Sequence, residues 1–235
     1  RVAIARTLYG GRGVPAKGLM PDWMFGLGEH TQGHGLDLTA AARLLDEAGW
    51  RTDPGNPRGP RVRGGGTLRL RLVAAYPNLS SVAPLPEMLE QMLRKVGIGL
   101  DIVGVEDDQL YGSRYLDPGE GDLFIEYAGN NNLDPTFLLY NLFHSQTTWR
   151  GYRHMAAGPA VDAALDEARA TDDPARRLDA VRRAHRNVVD EAVVAIPVLL
   201  VPQFMLSRAG TEVPMFEHRD WIDYGAIRVN RSIKR

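Results

Sequence analysis

The chain has 235 residues, 44% of them apolar and 24% charged, enough to build a core without disulfides or metal. Its formal net charge is −1, so no overall field draws it to nucleic acid. Cysteine is absent, which excludes thiol catalysis and cysteine-based metal sites, and no apolar run approaches the ~20 residues of a membrane span.

The chain opens on an uncapped apolar face at Val2, Ile4 and Leu8, and reads as a piece of a longer polypeptide. Residues 9–36 carry many glycines and prolines without a period and predict a long irregular segment. A helix follows over 37–49: Asp37 or Thr39 caps it, Leu38, Ala41, Leu44, Leu45 and Ala48 share a face, and Gly49 ends it. Residues 51–66 read as a surface loop, and 67–75 alternate as a half-buried strand does. A helix over 85–96 turns Leu85, Met88, Leu89, Met92 and Leu93 inward and stops at Gly97. Then come a strand at 98–105, a short helix at 109–115, a strand at 122–127 and a helix at 135–143 with proline in its first turn. A helical pair at 161–170 and 173–189 follows, the second member capped by Asp173 with Pro174 at its first position. An apolar strand at 193–201 comes last. Strands alternating with helices predict an α/β layered domain.

Enzyme and metal motifs are thin. His30 and His34 have helical spacing for a metal pair, but Gly33 and Gly35 argue against a helix and no third ligand lies near. The glycine runs at 10–13 and 64–66 lack the Lys-Ser/Thr of a phosphate loop, and there is no Gly-x-Ser-x-Gly elbow. Asp107-Asp108 and Asp172-Asp173 are sequence neighbours, which rarely converge on one substrate. The reading is therefore a binding module with no catalytic residue, no metal site and no cofactor.

Four stretches in order carry a family resemblance: AAARLLDEAGW at 40–50, LEQMLRKVGI at 89–98, DLFIEY at 122–127 running on to Asp134-Pro135, and the helical pair from Val161 to Pro197. Together they resemble the C-terminal lobe of family 5 extracellular solute-binding proteins, the peptide/nickel class. The resemblance implies an α/β lobe of the type II periplasmic-binding-protein kind, a mixed sheet flanked by helices. It implies residues 1–205 as the ligand-binding lobe of a two-lobed protein whose N-terminal lobe is missing. Residues 206–235 would then return towards the hinge or that lobe. It further implies capture of an oligopeptide or another small polar solute, such as an opine or sugar, in a cleft between lobes. The solute passes to the permease subunits of an ABC importer. The location would be extracytoplasmic, with membrane contact only through a lipid anchor outside this stretch.

Within such a lobe the loop after the strand at 122–127 is the candidate site, because ligands sit beyond strand ends. Tyr127, Asn130, Asn131, Asn132 and Asp134 fall on it. In peptide-binding members an acid three positions before the Asp-Pro pair holds the α-amino group. Asn131 stands there, offering hydrogen bonds but no counter-charge, which points away from a plain free-amine peptide. Asp134 could substitute or could cap the next helix. The nickel branch carries a histidine after that helix; His144 and His154 lie in the corresponding stretch with Trp149 and Tyr152, so a nickel or metal-chelate ligand is the alternative within the family. An alternative from another class is the ligand-sensing domain of a transcription regulator.

Overall fold

The computed structural model describes residues 1–21, 23–24, 27, 30–75, 84–107, 111–116, 120–129, 133–201, 205–214 and 223–229; the side chains of 113, 115, 116, 150, 151 and 154 are outside that set.

The frame is a three-stranded parallel sheet with β4 (Arg69–Ala75) in the centre, β5 (Gly99–Val105) on one side and β6 (Leu123–Ile125) on the other. Helix α3 (Leu85–Arg94) makes the crossover from β4 to β5. A single π-helical turn, Tyr111–Leu116, lies between β5 and β6. Strict alternation in β4 predicts one wet face, but Leu72, Val73, Ala74 and Ala75 are all buried. The reason is a second layer. Ala74 packs with Ile4, Tyr9 and Leu85 of α1 (Val2–Tyr9) and α3, while Val73 and Ala75 pack with Val105 and Tyr111 on the other face. A central parallel strand is covered on both sides.

Before the sheet, the irregular segment holds β1 (Val14–Pro15), and α2 (Leu38–Glu47) begins where Asp37 accepts the Ala40 N–H at 2.8 Å. The apolar face of α2 is not inward: none of its residues is buried, and Leu38 and Leu44 are 45% and 57% exposed. What fixes α2 is Arg61, whose guanidinium donates to Asp46, to the Trp50 carbonyl and to the Val96 carbonyl, joining its end to that of α3. Gly97 has a φ of 80° and lies where a Cβ would sit 2.7 Å from Arg61 Cγ, so only glycine fits there. The expected loop at 51–66 contains a small hairpin of β2 (Val62–Arg63) and β3 (Gly66–Thr67).

The main core lies in the second half. Helices α4 (Pro135–Phe143), α5 (Pro159–Ala170) and α6 (Pro174–Arg186) enclose Leu138, Leu139, Phe143, Val161, Leu165 and Val181. Met20, Met24 and Leu27 of the irregular segment complete that core. His185, fully buried on α6, holds the segment in place: its Nε2 accepts the Leu19 N–H, and Asp190 accepts the N–H groups of Gln32 and Gly33. The predicted strand at 193–201 is reduced to β7 (Leu199–Leu200), antiparallel to β1. Val193 has a φ of 50°, incompatible with an extended start. Beyond it, β8 (Thr211–Glu212) pairs with β9 (Arg228–Val229). Among the described residues no helix is long and apolar enough to cross a membrane.

Candidate ligand-binding site

The chain passes from β4 to β5 on one side, and β6 lies on the other side of β4, so the strand order reverses at β4. Open parallel sheets form their ligand crevices at such points. Glu126 stands there, immediately after β6. The two-residue period that puts Phe124 with Tyr111 and Tyr152 carries Glu126 to the same face. Tyr111 donates its hydroxyl to Glu126 Oε1 and Tyr152 donates to Oε2 at 3.0 Å. Burial first, and then the Glu126 charge, push both phenols above their ordinary pKa, so both remain donors. From Tyr152 an aromatic row runs outward: Trp149 lies 5.8 Å away between ring centroids, and Phe137 lies 6.0 Å beyond Trp149 at 84°. Phe137 and Trp149 are partly exposed, and Tyr127, beside Glu126, is 55% exposed.

Asp134 serves α4. Its Oδ1 accepts the Thr136 N–H at 2.9 Å, with Pro135 at the first helical position, and its Oδ2 accepts from Arg177 Nη2 at 2.8 Å. Both oxygens are engaged, and Arg177 balances the charge. A cavity of about 500 Å³ beside this pair is lined by Phe137, Tyr140, Asn141, Gln146, Thr148 and Arg169. A second, of about 480 Å³, also borders this pair and is lined by Leu133, Thr171 and Leu178.

His144 does not sit on an open loop. It ends α4, is 3% exposed, and stacks on Tyr140 with centroids 4.1 Å apart. Its Nδ1 accepts the Gln146 N–H at 2.9 Å, and its Nε2 lies 3.3 Å from Asp166 Oδ1 without a well-formed hydrogen bond. Ser145 next to it donates twice to Asp162. His144 thus belongs to the α4–α5 junction. Among the described residues no cluster of three or more His, Cys, Asp or Glu could hold a metal. Asn130, Asn131 and Asn132 lie outside the described residues, as does the His154 side chain.

The structure therefore gathers three residues the sequence did not single out as a group, Glu126, Tyr111 and Tyr152, with Tyr127 next along the chain. The one local signal is a carboxylate ending an otherwise apolar strand. Its tyrosine partners come from segments that meet only through the parallel topology.

The likeness to solved structures defines the class first. Over 97% of this chain and 42% of the other, the fold matches a dipeptide-binding protein from Pseudoalteromonas sp. SM9913 in complex with Met-Leu, at TM-score 0.72 and 19% identity. It also matches NikA from Brucella suis in complex with Fe(III)-EDTA, at TM-score 0.68 and 23% identity over 85% of this chain and 39% of that one. The fold is that of the type II periplasmic binding proteins. The model of bacterial extracellular solute-binding proteins, family 5 (middle region) matches residues 1–149, and the chain belongs to that family. Protein XP55 of Streptomyces lividans is 32% identical over 203 residues, which are 84% of this chain and 34% of that protein. The chain spans about a third of the length of the curated relatives it matches.

Proposed function

We propose that the whole protein is the solute-binding component of an ABC importer, capturing an oligopeptide or similar small polar solute between two lobes and delivering it to a membrane permease. Residues 1–205 act as one lobe, and 206–235 return towards the hinge or the other lobe. The observation that carries this reading is the clamped Glu126 with its partly exposed aromatic row at the carboxyl edge of the parallel sheet, on a chain of this family. A partly exposed surface of aromatic and polar groups suits one wall of a cleft closed by a second lobe. The reading is binding without turnover, in keeping with a family of solute-binding proteins. The protein works outside the cytoplasm, tethered by a lipid anchor beyond this stretch.

A nickel or metal-chelate ligand draws no support from His144, which is buried against Tyr140. Sensing in a transcription regulator would need a DNA-binding domain elsewhere in the protein.

Native mass spectrometry of the whole protein purified from its host tests the proposal. A bound solute of low mass, lost on unfolding, is expected. By calorimetry the isolated 235-residue chain should bind that solute far more weakly, because half of the cleft is absent. Tight binding by the isolated chain would sink the two-lobe reading, and a whole protein that carries no solute and takes none from a peptide pool would sink the capture reading.

A further inference from the structure

We propose that the cavity between α2, the loop at 51–61 and the end of α3 is a second binding site, which takes a phosphate monoester. Helix α3 crosses from the carboxyl end of β4 to the amino end of β5, so its last turn and this cavity lie at the amino edge of the sheet. The edge that bears Glu126 is the opposite one, and the inference stands apart from the solute-binding reading.

Three observations converge. First, the cavity, of about 400 Å³, is lined by Arg58, Arg61, Arg94 and Lys95 and by no acidic side chain. Two of these cations are balanced by acids outside it: Asp46 accepts from Arg61, and Glu90 pairs with Arg94. Arg58 and Lys95 have no acidic partner among the described residues. Basic groups at a helix C-terminus offset its dipole, which accounts for Arg94 and Lys95 at the end of α3 but not for Arg58. Second, Arg61 is built into the wall. It is 7% exposed, its Nε donates to the Val96 carbonyl, and its Nη1 donates to Asp46 and the Trp50 carbonyl. Its Nη2 has no acceptor among the described residues, so a fixed guanidinium keeps a donor for a ligand. Third, Leu38 and Ala42 of α2 give the cavity an apolar side. Two unbalanced cations and a spare guanidinium donor match a group with about two negative charges and three acceptor oxygens, which a phosphate monoester carries near pH 7. The apolar side suits the organic group that the ester bears.

The test is titration calorimetry on the whole protein with glycerol 3-phosphate, dihexanoyl-phosphatidic acid and, as a zwitterionic control, dihexanoyl-phosphatidylcholine. Saturable binding of a monoester is expected, and none of the control. Binding of glycerol 3-phosphate at least as tight as that of the acid lipid assigns the site to soluble phosphates; tighter binding of the lipid assigns it to a membrane headgroup. Arg58→Gln combined with Lys95→Gln should weaken binding at least about tenfold. Arg12→Gln combined with Arg186→Gln removes the same charge elsewhere and should leave it within about twofold. Thermal melts of both variants check their folding. Hydrogen exchange on the wild type needs no substitution: amides in 52–61 and 94–97 should slow with the bound monoester. The inference is overturned if neither monoester binds, if the zwitterionic lipid binds as well, if the Arg58 and Lys95 variant keeps its affinity, if both variants lose equally, or if protection appears only elsewhere.

Discussion

Nε2 of His185 accepts the backbone N–H of Leu19 at 2.9 Å, joining two residues 166 positions apart. The ring is buried, so it can accept this bond only while neutral, and burial pushes its pKa down to about 4 against the opposing pull of Asp190. An unfolded histidine takes up its proton near about pH 6.5. Between those values the unfolded chain binds more protons, so stability is fully present above the unfolded pKa and falls as pH drops towards about 4. Across that window the loss should be about 3 kcal/mol. Urea unfolding at a series of pH values checks it. His185→Gln, which has no titrating group, should flatten the curve there, and an unchanged slope would refute the assignment.

Gly18 lies under the same ring. A Cβ there would meet His185 Cε1 at 2.6 Å and Thr31 Oγ1 at 2.8 Å. Gly18→Ala should destabilise by about 1–3 kcal/mol through overpacking. Denaturant midpoints of this variant against Gly10→Ala, where a Cβ has open space but a φ of 56°, would separate crowding from backbone strain.

Asp134→Ala removes a helix cap and one side of an ion pair, and should cost about 1–2 kcal/mol. Asp134→Asn keeps an oxygen for the cap and should cost less, since the pair is partly exposed and such pairs contribute at most about 1 kcal/mol. Equal losses in chemical denaturation would mean that the cap contributes nothing.

Leu165 is fully buried in the main core, whereas Leu44 is 57% exposed. Leu165→Ala should lose about 2–5 kcal/mol, and Leu44→Ala no more than about 0.5 kcal/mol. The sequence period ranks Leu44 with an apolar face, so thermal melts of this pair also test the structure against the pattern.

That contrast shows what was legible. Caps are local, so Asp37, Asp134 with Pro135, and Asp173 with Pro174 mark their helix starts in the sequence and do so in the fold. Apolar faces need a partner that the period does not name. The face of α2 is left uncovered among the described residues, while Met20, Met24 and Leu27 enter the core from a stretch with no period at all. The clamp on Glu126 depends on β6 returning beside β4, a pairing no sequence window contains. His144 was legible as an imidazole near the site, but its burial follows from how α4 packs on α5.

The ladder of β1 and β7 pairs Val14 with Leu200 and Pro15 with Leu199. A chain made from its N-terminus cannot form this ladder until residue 200 has emerged. At ordinary elongation rates that leaves β1 waiting roughly 10–40 s. The Leu19 bond to His185 comes almost as late. Through that interval Met20, Met24 and Leu27 have no core to enter, and the growing chain leaves them uncovered. Within this stretch, residues 14–27 are thus made well before the partners that settle them.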